Sequence, residues 1–74
     1  MFNFGKKYCI SVENYLVDKN TLYIKDVNEN TLEYSTTFNI KLAKNFNIEK
    51  AGEIANTLRN KNKGVSYKVC LRKQ

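Results

Sequence analysis

The chain has 74 residues with 13 Lys and Arg against seven Asp and Glu, a net charge of +6, and it contains two Cys but no His, Pro or Trp. Structural zinc is usually held by Cys and His, so this composition excludes a four-ligand zinc site, and the lack of His also removes the commonest general base. The hydrophobic content of 42% is too high for a disordered chain, so we expect residues 1–74 to fold as one small domain.

The first predicted strand starts at Tyr8. Tyr8, Ile10 and Val12 point to one side of the chain and the residues between them to the other, which is the period-two pattern of a half-buried strand. Residues 15–17 either extend this strand past a kink or begin a new short strand after a tight turn.

Two further strands are predicted before the middle of the chain. Residues 18–20 and 28–30 are rich in Asp and Asn, which favour turns. Each of these turns is followed by a predicted strand, at 21–27 and at 31–38. Three strands joined by short polar turns predict an antiparallel meander.

A connector and a helix follow the meander. In the connector, Ile40, Leu42 and Ala43 are expected to pack under the sheet. Asn47 is a good N-cap, and Gly64 is expected to close the helix as a left-handed residue. The helix carries an apolar stripe at helical spacing, formed by Ile48, Ala51, Ile54, Ala55 and Leu58.

Gly52 lies inside this helix, close to the apolar stripe. Glycine costs about 1 kcal/mol there relative to Ala. We therefore expect a close approach of the helix to the sheet at this position.

A last strand over residues 65–71 completes the order β-β-β-α-β. This order predicts an α+β fold, an antiparallel sheet of about four strands with one helix packed on one face. The other face must meet water or a partner. It is predicted to carry Cys9, Ser11, Tyr23, Lys25, Glu33, Ser35, Thr37, Ser66, Lys68, Cys70 and Arg72.

Cys9 and Cys70 lie near the middle of the first and last predicted strands. A disulfide between them is geometrically possible if those strands are neighbours. No secretory signal is visible at the N-terminus, so we expect a cytoplasmic protein in which both thiols are reduced and structural.

Nothing in the sequence predicts catalysis. The two Cys have no imidazole to activate them, the seven acids show no metal-binding spacing, and the three Gly are isolated instead of forming a phosphate-binding loop. No apolar run approaches the ~20 residues of a membrane span. We expect a protein without enzymatic activity, cofactor, metal or membrane insertion.

The positive charge is concentrated in the second half of the chain. Residues 41–74 hold nine Lys and Arg against two acids, a net charge of +7, whereas residues 1–40 hold four against five, a net charge of −1. A field of one sign attracts surfaces of the opposite sign, so we expect a partner with negative charge.

The candidate partner-binding residues are mainly the cations near the junction between the helix and the last strand, with two residues of the open sheet face. They are Arg59, Lys61, Lys63, Lys68, Arg72, Lys73, Lys25 and Tyr23. Cations in a last helical turn complement the helix dipole by about 0.3–1 kcal/mol each, which explains Arg59 and Lys61 without a partner. The helix dipole does not explain the cations that follow the helix, which are Lys63, Lys68, Arg72 and Lys73. Tyr23 has an alternative explanation as a residue that packs against a neighbouring strand.

Residues 43–51, with the sequence AKNFNIEKA, continue into IANTL at 54–58. This stretch resembles a pattern found in small uncharacterised proteins of phages and mobile elements from low-GC Gram-positive bacteria. In these proteins a few strands lead to an Ala-Lys-x-Phe step, a helix and a closing strand. The resemblance implies a phage or prophage origin and a role in controlling host machinery or defence, and it assigns no site residues.

A second resemblance is to the arm-site DNA-binding domains of tyrosine integrases. There a three-stranded sheet precedes a helix opened by a Phe-x-Thr-x-x-x-Ala step, and the sheet enters the major groove. Phe46 and Ala51 match the Phe and an Ala of that step, but the Thr is missing. The chain also departs from that group because a fourth strand is predicted after the helix.

We therefore hypothesise a non-catalytic interaction protein that binds and inhibits a host nuclease or nucleoprotein with an anionic surface, as anti-CRISPR and other counter-defence inhibitors do. It would act in the cytoplasm of the bacterial host. The alternative is a small DNA- or RNA-binding module that uses the same cations together with Lys25 and Tyr23. The sequence leaves open a monomer and a homodimer formed through the last strand, although Lys68 and Arg72 disfavour strand pairing there.

Overall fold

The chain folds into a four-stranded antiparallel sheet with one helix packed against it, which confirms the predicted α+β class. The computed structural model describes residues 7–14 and 18–72. The strand order in the sheet is β3-β2-β1-β4. The elements in chain order are β1 (Lys7–Asn14), β2 (Asp18–Val27), β3 (Tyr34–Thr37), a short 3-10 helix (Ile40–Leu42), α1 (Ile48–Lys61) and β4 (Ser66–Arg72).

The apolar core lies between the sheet and α1. The helix packs against β1 and β4, and β1 is central because it pairs with β2 on one side and with β4 on the other. Burial of apolar surface, worth about 25 cal/mol per Å², drives the two layers together. The buried core residues are Ile10, Val12, Ile24, Phe46, Ala51, Ile54, Ala55, Leu58 and Tyr67.

The helix begins where the sequence predicts. Asn47 is the N-cap, and its side-chain oxygen accepts a hydrogen bond from the backbone N–H of Lys50 at 2.7 Å. Beyond the other end, Gly64 has a φ of 90°, a left-handed angle that glycine adopts without a steric penalty. The predicted apolar stripe is buried except for Ile48, which lies in the first turn and is 51% exposed.

Gly52 does not mark a close approach of the helix to the sheet. A Cβ atom built at this position would meet no atom within 4 Å, so that expectation is wrong. The conformational cost of glycine in a helix interior therefore has no packing reason within the described part of the chain.

Residues 18–20, predicted as a turn, belong to β2 instead. Asp18 pairs with Asn14 of β1. Pairing with a neighbouring strand overrides the local turn preference of Asp and Asn, because strand stability depends mainly on what the strand packs and pairs with. Residues 15–17, for which the sequence left two alternatives, lie outside the described residues.

The turn after β2 is longer than predicted. Asn28 accepts hydrogen bonds at its side-chain oxygen from the backbone N–H of Asn30 and of Thr31, and its carbonyl oxygen accepts one from Leu32 at 2.6 Å. Leu32 takes a φ of 63°, a left-handed angle outside strand geometry. Consequently β3 starts at Tyr34, three residues later than the sequence indicates.

Residues 38–46, called the connector below, join β3 to α1. Ala43 is buried as expected, but Ile40 and Leu42 are 39% and 55% exposed, so the expectation that they pack under the sheet is wrong. The 3-10 helix accounts for this difference, because its three residues per turn replace the two-residue alternation that would have pointed both side chains inward.

The end of the connector inserts between β1 and β2. The pairing of β1 with β2 ends at Ser11 and Tyr23. Closer to the start of β1, Tyr8 pairs with Phe46 of the connector, and the two N–H to carbonyl distances are 2.9 and 2.8 Å. The backbone N–H of Lys44 donates to the carbonyl oxygen of Ile24 at 2.9 Å. No helix within the described residues is long and apolar enough to span a membrane.

Candidate interaction surface

Arg72 links the last strand to the connector. It lies opposite Lys7 in the β1–β4 ladder, whereas the connector meets the other edge of β1. The guanidinium donates hydrogen bonds to the carbonyl oxygens of Ala43 and Lys41, each at 2.8 Å, and to Oδ1 of Asn45 at 2.7 Å. The Arg72 side chain therefore spans β1 and holds the connector in place.

The sheet face opposite α1 is closed where Arg72 crosses it. Cys9 and Ser11, predicted to lie on an open face, are 0% and 5% exposed. Burial raises the pKa of the Cys9 thiol, Cys70 adds to the increase, and the nearby Arg72 guanidinium acts in the opposite direction. The thiol of Cys9 is therefore protonated at neutral pH and shielded from water.

Three large apolar side chains are exposed on the connector within five residues. Phe38 is 67% exposed, more than any other large apolar residue of the described chain, and Ile40 and Leu42 lie on the same segment. Exposed apolar side chains that form a contiguous patch often mark a binding site on soluble proteins.

Cations adjoin this apolar segment in the sequence and through backbone pairing. Lys41 lies between Ile40 and Leu42 in the sequence. The backbone N–H of Lys44 is bonded to Ile24 of β2, and Lys25 is the next residue of that strand. Lys7 lies opposite Arg72, which is itself bonded to the connector. The fold thus brings cations from the first and second halves of the chain to one place.

We call this region the connector surface. One exposed acid, Asp26, lies beside it in β2, where its carboxylate accepts a hydrogen bond from the backbone N–H of Val27. The members of the connector surface are Phe38, Ile40 and Leu42, with the cations Lys7, Lys25, Lys41 and Lys44.

Besides Arg72, two more of the predicted partner-binding cations, Arg59 and Lys61, are engaged within the protein. Arg59 donates from Nε to the carbonyl oxygen of Tyr67 at 2.9 Å, and thereby covers a backbone acceptor of the edge strand β4. Lys61 donates from Nζ to the carbonyl oxygen of Thr31 at 3.1 Å. Both interactions stabilise the fold and leave these cations less free for a partner.

Of the other predicted cations, Lys63 lines the same surface pocket as Lys61, whereas Lys68 lies elsewhere. Lys63 follows the helix, is exposed, and forms no hydrogen bond or ion pair within the described part of the chain. Lys68 lies on the sheet face opposite α1, with Nζ 3.9 Å from a carboxylate oxygen of Glu13. Lys73 lies outside the described residues. The predicted basic surface is thus distributed over several sides of the molecule.

A tyrosine pair separates the end of the helix from β3. The hydroxyl oxygens of Tyr34 and Tyr67 are 2.8 Å apart, the rings pack edge to face, and Asn62 donates from Nδ2 to the Tyr67 hydroxyl at 3.0 Å. Burial raises the pKa of Tyr34 well above its usual range, and the hydrogen bond with Tyr67 adds to this effect. The Tyr34 phenol is therefore neutral at physiological pH, and the hydrogen bond between the two hydroxyls helps to hold β3 to β4.

No cluster of metal-ligating side chains exists in the described part of the chain, where no three His, Cys, Asp or Glu residues are placed to hold an ion. Buried side-chain nitrogen and oxygen atoms there all have hydrogen-bond partners. Comparisons of the chain with protein-family models, with curated proteins and with solved structures gave no match.

The sequence interpretation missed the connector surface because it treated Ile40 and Leu42 as core residues. A usable signal was present: Phe38, Ile40 and Leu42 alternate with polar residues in a segment that already follows three strands, next to Lys41 and Lys44. The contact that brings Lys7 and Arg72 to this segment has no local sequence signal.

Proposed function

We propose that this protein is a non-catalytic interaction protein that binds an acidic surface of a protein partner through the connector surface and blocks it. The observation that carries the proposal is the exposure of Phe38, Ile40 and Leu42 among cations. Binding hot spots are usually a few large side chains in a patch whose rim excludes water, and opposite charges on the rim accelerate association.

An acidic protein surface fits this chemistry better than a bare phosphate backbone. Phosphates interact with the cations alone and gain nothing from exposed aliphatic side chains, whereas a protein surface can bury both. The resemblance to phage accessory proteins makes a host nuclease or nucleoprotein in the bacterial cytoplasm the partner class we expect, with inhibition by occlusion.

The test is capture of a stoichiometric partner from a low-GC Gram-positive host, identified by mass spectrometry, with wild type and matched variants. Leu42→Asp should abolish capture, because it places a charge where an apolar contact is expected. Ile48→Asp is the control, since Ile48 is 51% exposed against 55% for Leu42 and lies outside the connector surface. An acid in the first helical turn is also compatible with the helix dipole.

Equal capture by both variants would rule out the connector surface as the binding site. The double variant Lys63→Glu with Lys68→Glu tests the cations that the sequence favoured. Loss of capture in that variant alone would move the site to the helix–strand junction.

The alternative function, direct nucleic-acid binding, is favoured by one feature of the sheet face opposite α1. Tyr23 of β2 and Lys68 of β4 both lie opposite Ser11, on the two strands that flank β1, so an aromatic ring and a cation share this face. Such a module must bind duplex or single strands with an affinity that falls log-linearly with salt. If the pure protein shifts no duplex or single strand at low salt, this alternative fails.

A further inference from the structure

Cys9 and Cys70 are directly opposite each other in the β1–β4 ladder. Opposed residues of antiparallel strands have Cα atoms about 4.5–5.5 Å apart, and their side chains point to the same face of the sheet. Disulfides need Cα atoms about 4.4–6.8 Å apart. The two thiols are free, and the strand pairing places their Cα atoms within the range that a disulfide spans.

The two thiols differ in access to solvent. Cys9 is 0% exposed, whereas Cys70 is half-buried and lies on the edge strand of the sheet. An oxidant therefore reaches Cys70 first, and Cys9 is positioned to react with the product. This arrangement of one accessible thiol and one shielded neighbour is typical of a pair that closes a disulfide.

We propose that Cys9 and Cys70 are a thiol pair that peroxides oxidise to an internal disulfide. The Cys70 sulfur attacks one peroxide oxygen, the O–O bond breaks, and Cys70 becomes a sulfenic acid while one water leaves. The Cys9 sulfur then displaces hydroxide from the Cys70 sulfur. The S–S bond forms as the S–O bond breaks, and the Cys9 proton leaves with hydroxide as a second water.

One neighbouring side chain acts in favour of the second step. The Arg72 guanidinium beside Cys9 stabilises negative charge that develops on its sulfur, in opposition to burial. The disulfide would join β1 and β4 across most of the chain length, which reduces the entropy of the unfolded state. Oxidation should therefore raise Tm by about 10 °C.

The experiment treats the reduced full chain with hydrogen peroxide, unfolds it, alkylates the remaining thiols and measures the intact mass. Wild type should lose two hydrogen atoms, take up no alkyl group and yield a Cys9 peptide linked to a Cys70 peptide. Reduction with dithiothreitol should restore both thiols and the lower Tm.

Cys70→Ser is the control variant, because Cys70 is half-buried and its replacement leaves the core intact. In this variant Cys9 should stay reduced and be alkylated after unfolding. The proposal is overturned if wild-type Cys70 takes up oxygen atoms while Cys9 remains alkylatable. It is equally overturned if the product is a dimer linked through Cys70.

Discussion

The guanidinium of Arg72 donates a hydrogen bond to the carbonyl oxygen of Ala43 at 2.8 Å, and this bond joins the last strand to the connector across the width of β1. From the sequence, Arg72 is a surface cation available to a partner. In the fold it supports the segment that exposes Phe38 and Leu42. Arg72 therefore holds the candidate binding surface in place, in addition to contributing positive charge to it.

Arg72→Lys should destabilise the protein by about 1–3 kcal/mol, because an ammonium group cannot reproduce the planar fork that reaches three acceptors. Urea unfolding followed by circular dichroism measures the change. Lys63→Arg is the matched control, since Lys63 is exposed and has no partner within the described residues. It should change the free energy of unfolding by less than about 0.5 kcal/mol. Equal effects of the two substitutions would show that the Arg72 hydrogen bonds contribute nothing to stability.

Gly52→Ala should stabilise the protein by about 0.5–1 kcal/mol. A Cβ at this position meets no atom within 4 Å, and Ala is the better residue in a helix interior. Thermal unfolding measures the gain as a rise in Tm. If the variant is instead less stable, the space beside Gly52 is filled in the folded protein. A more stable variant that has lost partner capture would place Gly52 in the interface.

Local signals in the sequence predict much of the fold. Asn47 is the N-cap because its short side chain bonds the first helical turn, and the alternation from Tyr8 to Val12 reflects a strand with one face on the core. Both depend on residues within four positions of each other. Gly64 is similar, since its left-handed angle is a property of a single residue.

Features set by distant contacts were not predictable in this way. Residues 18–20 form a strand because β1 lies beside them, and Arg72 finds its acceptors about 30 positions earlier in the chain. The candidate site depends on such contacts, because the cations of the connector surface come from three separate segments. Net charge therefore predicts the sign of a partner's charge, but it does not predict where on this protein the partner binds.

Tyr67→Phe should destabilise the protein by about 1–2 kcal/mol, because it removes the hydroxyl that joins Tyr34 and Asn62. Tyr67 is 1% exposed, so water cannot replace the lost bonds fully. Tyr23→Phe is the control: Tyr23 is half-buried, and its hydroxyl has no hydrogen-bond partner among the described residues. Its removal should change the free energy of unfolding by less than about 0.5 kcal/mol. A neutral Tyr67→Phe would mean that ring packing alone holds this corner.

The raised pKa of Tyr34 predicts a specific loss of stability in alkali. A folded protein that favours the neutral phenol binds its proton more tightly than the unfolded chain does, so the contribution is complete below the usual tyrosine pKa of 10 and is lost as pH rises through the folded value. Tyr34→Phe should therefore show a shallower decline of unfolding free energy than wild type above pH 10 and a parallel curve below it. Deprotonation of Lys occurs in both proteins and cancels in the difference. Denaturant titrations at several pH values measure the two slopes, and parallel curves throughout would show that burial of Tyr34 leaves its proton affinity unchanged.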